Sequence, residues 1–155
     1  MKSTLLVVED DEAILHLIDV ALTMSYYKVI KAKTGREADF RIRTEHPDII
    51  LLDLGLPDID GLSLIKRLRE CVDTPIIVIS ARTEEETIVK ALDYGANDYM
   101  TKPFNIDELQ ARIRVALRVS KRPDTMQNNF ENGPLIIDFS GNSCLLYTSP
   151  SPRDG

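Results

Sequence analysis

The chain has 155 residues, with 25 acidic against 19 basic side chains, a formal net charge of −6, 43% apolar and 28% charged residues. That is room for one full domain and a remainder, with an ordinary globular core. The acidic balance argues against a basic nucleic-acid surface, no apolar run nears the roughly 20 residues that cross a bilayer, and the acids from Glu9 onward come too early for a signal peptide, so a cytoplasmic protein with no membrane partner is expected.

In chain order, "TLLVV" (4–8) predicts a strand. "DEAILHLIDVALTM" (11–24) predicts a helix with Ile14, Leu17, Ile18 and Leu22 inward and Asp11 as its cap. "KVIKA" (28–32) is a shorter strand, and "TGREADFRIRTEH" (34–46) a helix opened by Thr34. "DIILLDL" (48–54) is the third strand, and "DGLSLIKRLREC" (60–71) the third helix, with Leu64, Ile65 and Leu68 inward. "TPIIVIS" (74–80) is the fourth strand. "EEETIVKALDYG" (84–95) is a helix closed by Gly95. "NDYMTKP" (97–103) and "IDELQARIRVALRV" (106–119) complete five β/α units.

Strands that are apolar throughout belong to parallel sheets covered on both faces. The predicted fold is therefore α/β, a doubly wound five-stranded parallel sheet in the flavodoxin-like order 2-1-3-4-5, which suits this length better than an eight-stranded barrel. After Ser120 the texture changes. Residues 121–133 are polar and aperiodic, a linker, and "PLIIDFSGN" (134–142) reads as a new strand and turn. Cys71 and Cys144 form no disulfide framework, as expected in a reducing cytosol. His16 and His46 are read as structural or surface residues.

Open α/β sheets bind ligands beyond the carboxyl ends of their strands. Those ends carry Glu9 and Asp10 after strand one, Asp53 after strand three, Ser80 after strand four, and Lys102 and Pro103 after strand five. Strands one and three are neighbours in the expected order, so Glu9, Asp10 and Asp53 converge. Each alone could be a helix cap; three acids at one crest beside a lysine call for another explanation. Clustered carboxylates repel unless a cation is present, and hard oxygen donors suit Mg2+. Asp53 is then placed as a nucleophile towards phosphorus, with Mg2+ and the Lys102 ammonium neutralising the phosphoryl group and a backbone carbonyl, that of Gly55, brought to the metal by the following turn.

The motifs "LVVEDDE", "IILLDLGLPDIDG", "IIVISAR" and "GANDYMTKPF", in order over residues 1–120, resemble the receiver domains of bacterial two-component response regulators, of the OmpR/PhoB winged-helix class. The resemblance implies that Asp53 is the phosphoacceptor, served by a sensor histidine kinase. It makes Glu9 and Asp10 the metal-binding acids, Lys102 the phosphate-binding cation, Ser80 the switch hydroxyl and Tyr99 the switch aromatic. It also implies a homodimer through the fourth helix, fifth strand and fifth helix, with Arg112, Arg114 and Arg118 at the interface and Asp98 and Glu108 as ionic partners. Asn97 and Ile88 depart from that pattern, where the class commonly has an aspartate and a basic residue. The family often has a cis bond before Pro103.

Such a protein is not an enzyme acting on a separate substrate, although it phosphorylates and dephosphorylates itself with Mg2+. A phosphatase with an aspartyl nucleophile would want a second aspartate at Gly55. A flavodoxin would want a Ser/Thr/Gly-rich loop where this chain has Glu-Asp-Asp-Glu, and no Walker or dinucleotide glycine motif is present. A stand-alone receiver that docks on other proteins is the rival reading. The linker and fresh strand favour a transcription regulator whose winged-helix domain, truncated here, begins at 134–143 and binds promoter DNA only in the intact parent. Residues 144–155, "CLLYTSPSPRDG", back-translate into a sequencing-library adapter and are expected to be non-native.

Overall fold

The computed structural model describes residues 2–120. The linker expected over 121–133, the effector strand over 134–143 and the tail over 144–155 lie outside the described residues.

Five strands, β1 (Thr4–Val8), β2 (Lys28–Ala32), β3 (Ile49–Leu52), β4 (Ile76–Ser80) and β5 (Asp98–Thr101), alternate with five helices, α1 (Glu12–Met24), α2 (Gly35–Glu45), α3 (Gly61–Arg69), α4 (Glu85–Tyr94) and α5 (Ile106–Ser120). The strands form one parallel sheet in the order β2-β1-β3-β4-β5, the order expected. Side chains alternate across it. Leu6, Val8, Ile50, Leu52, Ile76 and Val78 pack with Ala38 of α2, Leu64, Ile65 and Leu68 of α3, and Ala91 of α4. Leu5, Val7, Ile49, Leu51, Ile77 and Ile79 pack with Ile18 and Leu22 of α1, and with Leu109 and Ile113 of α5. Both faces are thus sealed, which is why these strands show no polar alternation; each such side chain contributes about 1.5–3 kcal/mol by burial.

Two expectations need correction. The sheet-facing stripe of α1 is Leu15, Ile18 and Leu22, whereas Leu17 is 51% exposed and shares an outer stripe with Val20 and Met24. The helix has more apolar residues than its sheet-facing stripe can hold, and Leu17 lies roughly 100° from Ile18 around the axis. Helix α3 stops at Arg69, short of Cys71, and β4 begins at Ile76, after Pro75, which has no N–H for a ladder. The helix ends follow local chemistry. The Asp11 carboxylate accepts from Ala13 N and Ile14 N, Thr34 Oγ1 accepts from Glu37 N, and Gly95 leaves α4 at φ 130°, a conformation only glycine adopts without strain.

Candidate functional site

The sheet places the expected residues along one edge. Val8 pairs with Leu52, so the residues after them, Glu9 and Asp53, leave adjacent strands side by side. Backbone bonds fix both exits: Glu9 N donates to Ala32 O at 2.9 Å and Asp53 N to Val8 O at 2.9 Å. Ser80 pairs with Thr101, and Lys102 N donates to Ser80 O at 2.8 Å, carrying the order of the edge to its far side. The Lys102–Pro103 bond is cis.

Carboxylate oxygens of Glu9, Asp10 and Asp53 lie within 4.8 Å of one another. Glu9 and Asp53 are buried and Asp10 is exposed. Lys102 Nζ sits 3.0 Å from Glu9 Oε1 and 3.5 Å from Asp53 Oδ1, and Asp11 N donates to Glu9 Oε2 at 3.1 Å. Burial pushes the Glu9 carboxyl above its ordinary range, the Asp53 charge pushes the same way, and the Asp11 N–H and Lys102 only partly offset this. Burial alone would lower the Lys102 pKa, but its hydrogen bond to Glu9 and the charges of Asp53 and Glu9 hold it above that of an ordinary lysine.

Three carboxylates around one ammonium leave negative charge uncompensated at a crest where Asp10 is exposed and Glu9 and Asp53 are buried. This all-oxygen donor set fits a divalent cation that keeps some of its water, as Mg2+ does. Gly55 is exposed in the β3–α3 loop, where a Cβ would lie 3.7 Å from Asp53 Oδ2, so its backbone passes beside the same carboxylate. Two contacts shape that loop. Gly61 N donates to Leu54 O at 3.1 Å, and a Cβ on Gly61 would stand 2.5 Å from Leu54 Cα, so only glycine allows the approach.

On the β4–β5 side, the buried Ser80 Oγ accepts from Arg82 N at 3.0 Å, while the half-buried Tyr99 donates its hydroxyl to Arg82 O at 2.8 Å. Arg82 also reaches Thr87 Oγ1 at 3.1 Å, and Thr87 bonds Glu84 at 3.1 Å.

The residues expected at a dimer face divide. Arg112 is held within the chain, 2.8 Å from Asp98 Oδ2 and 2.8 Å from Glu108 Oε2, while Arg114 and Arg118 are exposed. Asn97 does more than leave an ionic position neutral. Its Oδ1 accepts from Ile76 N at 2.8 Å and from Arg69 Nη2 at 3.2 Å. Arg69 itself donates to Gly95 O, Val72 O and Thr74 O, binding the ends of α3 and α4 to the start of β4. Sequence reasoning missed this clamp, because an arginine on a helix flank looks like any solvated one. It also missed Asp58, which reads as a turn residue but accepts from Gly35 N at 2.7 Å and Arg36 N at 3.0 Å. Its partners lie over twenty positions upstream, beyond any local signal.

The strand order and the cluster of acids with a lysine at its crest define an α/β domain with a polar crest site, and residues 5–114 match the response regulator receiver domain model, so the chain belongs to that family. It is similar to the transcriptional regulatory protein KdpE of Staphylococcus aureus, 58% identical over 146 residues that cover 94% of this chain and 63% of the relative. The KDP operon transcriptional regulatory protein KdpE of Escherichia coli is 48% identical over 116 residues, 75% of this chain and 52% of that protein. The chain therefore spans roughly half to two thirds of the length of these relatives. Among solved structures, the BeF3-activated N-terminal receiver domain of Klebsiella pneumoniae RstA aligns with a TM-score of 0.73 and 33% identity, covering 75% of this chain and 99% of that one. No helix among the described residues is long and apolar enough to cross a membrane.

Proposed function

We propose that Asp53 accepts a phosphoryl group from the phosphohistidine of a sensor histidine kinase, and that the phosphorylated protein dimerises to control transcription from the cytoplasm. The observation that carries this reading is the placement of Asp53: buried at a strand end, with Glu9 and Asp10 within 4.8 Å and the Lys102 ammonium at 3.5 Å. A carboxylate oxygen of Asp53 attacks phosphorus, the new O–P bond forms as the histidine N–P bond breaks, and the kinase histidine leaves as neutral imidazole, keeping the proton already on its other ring nitrogen. Glu9, Asp10, Asp53 and the Gly55 carbonyl would hold Mg2+, which when bound offsets charge on the phosphoryl oxygens. Lys102 supplies the protein's own cation to those oxygens, kept protonated by Glu9 and Asp53.

Phosphorylation then competes for the Ser80 hydroxyl, now engaged with Arg82 N, and Tyr99 follows through the same loop. We assign Arg112, Arg114, Arg118, Asp98 and Glu108 to the dimer face of α4, β5 and α5. Arg112 must then exchange or share its in-chain partners, which favours a modest dimer. Promoter binding by a domain following the linker is supported by the names of the KdpE relatives.

The test is labelling with acetyl phosphate and Mg2+. Wild type should form an acid-stable, base-labile acyl phosphate, and Asp53→Asn should form none. Undiminished labelling of that variant refutes the assignment. Sedimentation with and without beryllofluoride checks the dimer; an unchanged monomer–dimer constant would count against it.

A further inference from the structure

The β3–α3 loop that carries Gly55 is pinned at three places, and only two of them belong to the loop's own supports. Its start hangs on β1 through Asp53 N, and its end closes on itself through Gly61 N and Leu54 O. The third pin is distant. Both oxygens of Asp58 are taken by the first N–H groups of α2, at 2.7 Å from Gly35 N and 3.0 Å from Arg36 N. Beside them Ile59 Cγ2 occupies the space a Cβ on Gly35 would need, so residue 35 is bare where the loop lies against the helix.

Helix α2 does not need this carboxylate merely to start. Thr34 Oγ1 already accepts from Glu37 N at 3.0 Å, Thr34 O from Ala38 N at 3.0 Å, and Glu37 returns a bond to Lys33 N at 2.6 Å. The helix start is therefore already capped, with the Glu37 carboxylate accepting from the residue before the N-cap rather than from the N-cap itself. What remains are the N–H groups of Gly35 and Arg36, and these go to a residue three positions beyond Gly55. An exposed loop held only at its ends would sample many backbone conformations, and ordering it on metal binding would cost affinity. Docked on a helix, it is ordered beforehand.

We infer that Asp58 is a positioning residue for the cation site: by docking the β3–α3 loop on the N-terminus of α2, it pre-orders the Gly55 backbone for the metal without touching the metal itself. The inference rests on the proposed reading of Asp53, Glu9 and Asp10 as a phosphoacceptor with its metal site.

The experiment is a Mg2+ titration of the full, unphosphorylated chain, following the backbone amide resonances of Gly55 and Gly35 by NMR. In wild type both resonances should shift with one half-saturation concentration, although Gly35 belongs to α2. Asp58→Ala should raise that concentration about tenfold, the size typical for residues that support metal ligands from behind, and should uncouple Gly35 from the metal. Asp58→Asn, which keeps one oxygen acceptor, should recover part of the loss. Thr34→Ala strips a cap from the same helix without touching the loop, and should leave half-saturation within about twofold of wild type. An unchanged half-saturation in Asp58→Ala overturns the inference, as does an equal loss in Thr34→Ala, which would trace the effect to helix stability. If wild type itself shows no Mg2+-dependent shift at Gly55 and takes no phosphoryl group, the functional reading fails and this inference with it. Normal phosphorylation of Asp53 with an insensitive Asp58→Ala removes only the role of Asp58.

Discussion

Neutralising Asp10 should make the metal-free protein more stable and the metal-loaded one less so. Asp10 is the exposed member of a trio whose oxygens lie within 4.8 Å, and, unlike Glu9 and Asp53, it has no ion pair with Lys102. Two unit charges at that distance repel by about 1 kcal/mol in water and about 3.5 kcal/mol at the effective dielectric of a protein surface. Exposure puts Asp10 near the lower figure, and attraction to Lys102 offsets part of the sum over two neighbours. The net gain for Asp10→Asn without metal is therefore about 1 kcal/mol, or roughly 4 °C in Tm for a domain of this size. With Mg2+ the sign reverses: a ligand at a hundred times its Kd stabilises the folded state by about 2.7 kcal/mol, and a variant lacking one of three carboxylates binds more weakly and recovers less. The chain has no tryptophan, so urea unfolding followed by circular dichroism, in EDTA and in saturating Mg2+, is the assay. The reasoning fails if Asp10→Asn is no more stable than wild type in EDTA, or if Mg2+ stabilises both proteins equally.

Three further outcomes follow from the same geometry. Because burial raises the Glu9 pKa, folding favours its protonated form, so its contribution is full below the ordinary value of 4.5 and lost as pH rises through the raised folded value. Glu9→Gln should accordingly gain on metal-free wild type from acid to neutral pH, and a flat difference between their urea midpoints across that range would contradict this. Arg69→Lys should cost about 2–3 kcal/mol, since an ammonium cannot reach the carbonyls of Val72, Thr74 and Gly95 together; a loss under about 0.5 kcal/mol would show the clamp to be idle. Gly61→Ala should lose about 2–3 kcal/mol, because the methyl meets backbone at Leu54 Cα, which cannot rotate away; thermal unfolding close to wild type would refute it.

The sheet was legible in the sequence because unbroken apolar runs such as Ile49–Leu52 have one comfortable environment, a strand covered on both faces. The crest site was legible for a related reason. A carboxylate placed directly after a fully buried strand can only emerge at its end, so the order of strands alone brings Glu9 beside Asp53. What escaped were features fixed by distance rather than periodicity. Leu15 and Leu17 are chemically alike, and only the sheet's position decides which is buried. The partners of Asp58 and Arg69 become neighbours only when helices from different units are packed together. Asn97 looked like a weakened ionic position because a side chain's direction at a strand's start is not written in its neighbours; here its amide oxygen accepts from Ile76 N at the start of the neighbouring strand.

Arg82 holds both expected switch side chains through its main chain, with its N–H on Ser80 and its carbonyl on Tyr99. Anything passing between those two side chains along this route runs through peptide atoms that every amino acid except proline supplies alike. Alanine scanning would trim the side-chain bonds to Thr87 and Glu84 and leave that relay intact. A map of the switch drawn from side-chain truncations would thus show a gap at its centre. Replacing the amide with an ester, or the residue with proline, is what would make position 82 visible.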